Sequence, residues 1–166
     1  MAEDEGRDIP DKYLIEIGRV TTRWAVLESI LDLSLMKLCG KDITDPRSLI
    51  IFNHMAFPMK LDILGALVSE LIANHPGLSE FSSVLNLLKQ AQEKRNFISH
   101  SKWGLDEQNR VEISRVTARG KLKTMIMPIS AEEIKTSADL IREASHRLFY
   151  LVKNAETTNK PPQTGQ

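Results

Sequence analysis

The chain has 166 residues, 42% apolar and 27% charged, which suits a single globular domain and excludes a disordered polymer. Its 22 basic and 22 acidic side chains cancel, so no global field marks it as a wholesale binder of nucleic acid or membrane surface, and any affinity for phosphate must come from a local patch. One cysteine excludes an internal disulfide and a multi-cysteine zinc site. No apolar run approaches the roughly 18 residues of a transmembrane helix, so no membrane partner is expected. The acidic start Met1-Ala2-Glu3-Asp4-Glu5 lacks the pattern of a signal peptide. A cytoplasmic protein is the expectation.

Residues 1–9 read as a flexible N-terminus. Pro10 suits the first turn of a long helix whose apolar stripe is Leu14, Ile17, Trp24, Leu27, Leu31, Leu35 and Leu38. Cys39 is expected to be a small buried thiol, and Gly40 suits the left-handed position that ends a helix. A short helix after Asp45-Pro46 carries Leu49, Ile50 and Phe52. Pro58 restarts the chain, and Leu61, Leu64, Leu67, Val68, Leu71 and Ile72 predict a third helix that His75-Pro76-Gly77 stops. A fourth helix is predicted from about Leu78 to Ser99. Then Val111, Ile113 and Val116, and the run Leu122 to Met127, flanked by turn clusters at Asp106–Asn109 and Ala118–Lys121, predict a hairpin of two or three strands over 103–128. Ser130-Ala131-Glu132-Glu133 is a capping box that opens a last helix, with Ile134, Ala138, Ile141, Leu148 and Leu151 toward the core. The segment 156–166, with Pro161-Pro162 and no apolar anchors, reads as a disordered tail. The expected fold is mainly α: one domain over 10–155, a bundle of about five helices with a β-hairpin insertion before the last.

The fourth helix carries the concentrated chemical signal. At about 100° per residue, Phe81, Val84, Leu85, Leu88 and Ala91 share one face, and Gln92, Arg95 and Ser99 continue along it. Asn96 and His100, four apart, stack on its flank. A guanidinium on an apolar stripe cannot lose its proton, so it must meet a carboxylate, an incoming phosphate or a wet cleft. One reading is a structural ion pair, with Glu28 or another helix acid. The other is an anion site, with His100 beside it as a group that exchanges protons near neutral pH.

Arg95-Asn96-Phe97-Ile98-Ser99-His100 resembles the signature of the HEPN family, in which arginine and histidine are separated by four to six residues. Arg47 and His54 also satisfy that spacing, but Arg47 is followed by Ser48 on a short helix, whereas Arg95 is followed by Asn96 at the end of a long one. The stretch through Trp103 is similar to a bacterial subgroup with a small residue and then an aromatic after the histidine; that subgroup has glycine where this chain has Ser101. The resemblance implies a HEPN-like bundle, often a homodimer whose two motifs meet in one composite cleft, acting as a metal-independent endoribonuclease without a cofactor. It implies His100 as general base or acid, Arg95 on the scissile phosphate, and Asn96 orienting either. Lys94, Lys102, Trp103 and Arg115 are the expected substrate contacts. It further implies RNA as partner, and a place in a toxin–antitoxin or phage-defence system with a cognate antitoxin.

A local run of Lys94, Arg95, Lys102, Arg110, Arg115, Arg119, Lys121 and Lys123 against Asp106, Glu107 and Glu112 is consistent with RNA, and equally with charged edge strands that resist aggregation. His54, His75 and His146 share no metal-ligand spacing with acids, and no glycine cluster forms a phosphate loop. Two other readings stay open. In one, the same fold is a non-catalytic module binding nucleic acid, a nucleotide or a protein. In the other, it is a helical scaffold whose Arg95 is only ion-paired.

Overall fold

A computed structural model describes residues 8–117, 120 and 122–157. Among them are five α-helices and a three-stranded antiparallel sheet placed before the last helix, as the periodicity predicts. The turn expected at Ala118–Lys121 lies outside the described residues except for Gly120, as do most of the N-terminal segment and residues 158–166 of the expected tail, whose first two positions, 156 and 157, instead continue the last helix.

Helix α1 (Asp11–Leu38) starts after Pro10 and ends where Gly40, at φ 65°, turns the chain. There the Gly40 and Lys41 amides donate back to the carbonyls of Lys37 and Met36, both at 2.9 Å, so the left-handed glycine closes the helix end. Its buried stripe is Val20, Trp24, Leu27, Leu31, Leu35 and Met36. Leu14 belongs outside that stripe, being 50% exposed. Stepping back by threes accumulates drift, which carries Leu14 roughly 100° off the core line. Cys39 is exposed, contrary to expectation, because it sits past the last full turn as the cap residue.

Helix α2 (Pro46–Asn53) is capped by the Asp45 carboxylate, which accepts from the Arg47 amide. Helix α3 (Phe57–Leu71) buries Phe57, Leu61, Leu64 and Val68. It also buries Lys60, whose ammonium meets Asp32 of α1; the side chains are 5% and 19% exposed. The approach to Asp32 Oδ1 lies outside hydrogen-bond angles, so the contact is electrostatic rather than an aligned bond.

A 3-10 turn (Pro76–Leu78) leads into α4 (Phe81–Ser99). Gly77 passes so near the α5 backbone that a Cβ there would lie 2.8 Å from the Asn154 carbonyl carbon. Strands β1 (Lys102–Leu105), β2 (Val111–Thr117) and β3 (Lys123–Pro128) form the sheet in sequence order. Ile113 pairs with Trp103 on one side and Met127 on the other, and this inner face meets the core. Helix α5 (Ala131–Thr157) opens with the expected capping box: the Ser130 amide donates to Glu133 Oε2 at 2.7 Å and the Glu133 amide to Ser130 Oγ at 3.2 Å. Those bonds hold the Glu133 carboxyl below its ordinary range. Helices α1 and α5 run in the same direction, joined early by Arg23 to Asp139 at 2.8 Å and late around Leu38 and Val152. Helix α4 runs against them, so its C-terminal end, the start of α5 and the sheet gather at one end of the bundle.

Candidate functional site

The motif residues occupy the C-terminal turn of α4, and the local sequence explains how that turn is held. The carbonyls at a helix end need donors from beyond it. Here Asn96 O accepts from the His100 amide at 3.1 Å, Phe97 O from the Ser101 hydroxyl at 2.6 Å, and Ile98 O from the Trp103 indole at 3.2 Å. Ser101 therefore does a job glycine could not. Trp103, expected as a substrate contact, is half-buried against the core and anchors the helix end.

The three expected catalytic residues come together. Arg95 Nη1 donates to Asn96 Oδ1 at 3.1 Å and to His100 Nε2 at 3.3 Å. Arginine has no acceptor, so in this bond Nε2 is the accepting atom. The guanidinium carbon also stands 5.3 Å from the centre of the Trp24 ring, a cation–π distance. Trp24 is 5% exposed and packs on Phe57 with ring centres 4.4 Å apart, so the platform is fixed from below. Trp24 is thus both core and support, a role that no pattern in α1 by itself announces.

Among the described residues, no carboxylate pairs with Arg95. Glu28, one turn along α1 from Trp24, makes no ion pair among the described residues either, and the structural ion pair considered for Arg95 is not formed there. His100 is exposed while Arg95 and Asn96 are half-buried. The result is a cation on an aromatic shelf, joined to an open imidazole, with no anion supplied by the described residues.

The expected substrate contacts are dispersed. Lys94 and Arg115 line a cleft of about 870 Å³ between α4, the inner face of the sheet and the start of α5, floored by Phe97, Met127 and Leu140. Lys94 and Arg95 are neighbours in sequence and so point about 100° apart on the helix. Glu133, whose carboxyl Lys94 helps to lower, stands on the same cleft. Lys102 is exposed and pairs with Ser114, which puts it on the sheet face opposite Arg115. Arg110 is tied to Asp106 at 2.7 Å, and the Arg110 amide, followed by its side chain, holds the Asp106 carboxyl below its usual range. Arg119 and Lys121 lie outside the described residues. The basic run is therefore not one continuous face among the described residues.

The rival pair is placed differently. Arg47 extends into solvent, 88% exposed, beside Asp45, and His54 caps α2 with no bond to it. Sequence reasoning missed Lys60 and Asp32, although Lys60 falls within the apolar stripe of α3 and the wheel used for α4 would have found it. Among the described residues, no group of three histidine, cysteine, aspartate or glutamate side chains is arranged to hold a metal, and no helix is long and apolar enough to cross a membrane. Comparison with protein families, with curated proteins and with solved structures finds no match to this chain.

Proposed function

We propose that Arg95, Asn96 and His100 form the active site of a metal-independent endoribonuclease of HEPN type. The observation that carries this reading is an arginine held 3.3 Å from an exposed histidine nitrogen with no carboxylate among the described residues to neutralise it. Such a guanidinium is completed by a substrate phosphate, which its planar fork fits. When a phosphate draws Arg95 away, the Nε2 lone pair is released at the site where the substrate arrives.

The chemistry follows from those groups. His100 Nε2 takes the proton of a ribose 2′-hydroxyl, and that oxygen attacks the neighbouring phosphorus. The bond from phosphorus to the 5′-oxygen breaks, leaving a 2′,3′-cyclic phosphate on one product. The departing 5′-oxygen takes up a proton from the imidazolium. Arg95, with Asn96 holding its Nη1, offsets the charge that gathers on the phosphoryl oxygens. A homodimer, a cognate antitoxin and a role in toxin–antitoxin or phage defence belong to the same reading as extensions of the motif resemblance.

The test is incubation of purified protein with single-stranded and structured RNAs in EDTA, beside His100→Ala of equal fold. Cleavage to cyclic-phosphate ends that disappears in the variant is expected. Cleavage that survives the substitution sinks the assignment.

A second reading has its own observation. Arg115, half-buried and without a partner among the described residues, lines the separate cleft with Lys94. That favours a binding module for nucleic acid, a nucleotide or an acidic protein. In that case RNA is retained but not cut, and Arg115→Gln releases it while His100→Ala does not.

A further inference from the structure

Among the described residues the sheet has two free edges, and they are built differently. Strand β1 is short, begins with Lys102 and contains Gly104, features that keep an edge from pairing further. Strand β3 lacks them where they would matter. Its ladder to β2 runs without a bulge from Thr117↔Lys123 to Glu112↔Pro128. Its charge and its proline stand at the two ends, and Thr124, Met125, Ile126 and Met127 between them are uncharged. Alternate residues of an edge strand turn their amides and carbonyls away from the ladder. No described strand meets those of β3.

The side chains of β3 are open on both faces. Ile126 is 60% exposed on the outer face, diagonal to Val116 of β2, itself 53% exposed. Met125 is 43% exposed on the inner face and pairs with Arg115. Under that face runs the cleft floored by Phe97, Met127 and Leu140. Arg115 stands on the central strand, so it does not serve to blunt an edge. It is half-buried and meets no carboxylate among the described residues.

We propose that β3 accepts an extended segment of another protein as a fourth strand, apolar on its outer face and carrying a carboxylate on its inner face for Arg115. In such additions the main chain supplies the hydrogen bonds and alternate side chains supply the selectivity. The sheet sets the place of the acid. An inward side chain opposite Met125 stands two strand spacings from Arg115, about 10 Å, a gap that a glutamate and an arginine side chain close together. Outward side chains of the segment lie beside Ile126, where an apolar cross-strand neighbour is favoured.

Charge decides among the occupants. A second copy of β3 brings a lysine and no acid to Arg115. An RNA strand brings a phosphate with every nucleotide to a cleft that also holds Glu93, Glu132 and Glu133, and it matches no row of alternating amides and carbonyls. A peptide with few carboxylates in an apolar frame suits both the edge and the cleft. The proposal rests on the second functional reading, that of a binding module, and names its ligand as protein. The nuclease reading does not bear on it, because Arg95, Asn96 and His100 take no part.

Fluorescence anisotropy on the full chain tests it, with a labelled, end-capped synthetic peptide of about seven residues in which valine alternates with glutamate. Saturable binding is expected, with slowed hydrogen exchange at the β3 amides. Lysine in place of the peptide's glutamates should weaken binding by roughly tenfold, and Arg115→Glu should reverse that preference. A proline at the centre of the peptide should weaken binding by a similar factor. Ile126→Lys should do the same while circular dichroism and Tm stay as in the parent. Absence of binding, binding indifferent to the charge swap, or protection that spares β3 overturns the proposal. A cleft that instead retains a single-stranded RNA oligomer, released by Arg115→Gln, overturns it and leaves the binding-module reading in place. A cleft that holds neither removes both.

Discussion

Lys60 and Arg95 begin from the same position in sequence logic, each a cation on the apolar stripe of an amphipathic helix, and the structure resolves them in opposite ways. Lys60 is sealed: its side chain is 5% exposed and Asp32 reaches it from α1. Arg95 is left open: it lies over an aromatic ring, touches two groups of its own helix, and meets no carboxylate among the described residues. A paired cation inside a bundle is accounted for by the fold. An unpaired one at the mouth of the bundle is accounted for by what comes to it.

The contrast can be broken most forcefully at the sealed pair. Asp32→Ala leaves a buried ammonium without its counterion and should cost about 3–5 kcal/mol in urea unfolding. Replacing both partners, as Asp32→Leu with Lys60→Met, should recover most of that loss, because neither charge then remains. Recovery of none would mean that the pair holds α1 and α3 through shape rather than charge.

At the open cation the cost should fall on activity instead. Arg95→Lys keeps the charge but loses the planar fork, and RNA cleavage should drop by about 10²-fold. The stability change should stay within about 1 kcal/mol, since no buried partner is orphaned. A large Tm loss with little change in rate would place Arg95 with Lys60 as a structural cation. Trp24→Phe sharpens the point further. It keeps a ring beneath Arg95 and removes a buried indole N–H that has no hydrogen-bond partner, so stability should shift by less than about 1.5 kcal/mol.

The smallest effect concerns acid. Glu133 and Asp139 are held below their ordinary range, Glu133 by its bonds to Ser130 and Asp139 by Arg23. A carboxyl whose folded pKa is depressed stabilises the fold fully above its unfolded pKa. That contribution is lost as the pH falls through the folded value. Thermal melts should therefore be flat near neutrality and decline below about pH 4. Asp139→Asn should lessen that acid decline.

Much of this was legible beforehand. The order of helices follows from period, proline and glycine, and the Ser130–Glu133 cap is visible as four letters. The motif turn was legible too, because Arg95, Asn96 and His100 lie on one helix and their spacing fixes their neighbourhood. What depended on other elements was not. Trp24 is 71 positions from Arg95 in number, and nothing in either segment states that the ring of one supports the other. The basic run misled for a related reason: strand alternation sends Lys102 and Arg115 to opposite faces, whereas a linear count adds them. Cys39 and Leu14 failed because helix ends lie where the burial stripe no longer applies.

The same-direction packing of α1 and α5 also bears on how the protein comes to be folded. Helix α1 leaves the ribosome with Val20, Leu27, Leu31 and Leu35 uncovered, and the surface that covers them most extensively is α5, made after the other four described helices. Until α5 emerges, α1 to α4 can gather only loosely, and the apolar face of α1 stays available to chaperones or to other nascent chains. A ribosome-stalled chain ending before Ala131 should accordingly remain sensitive to protease, and resistance should arise late in synthesis rather than in steps.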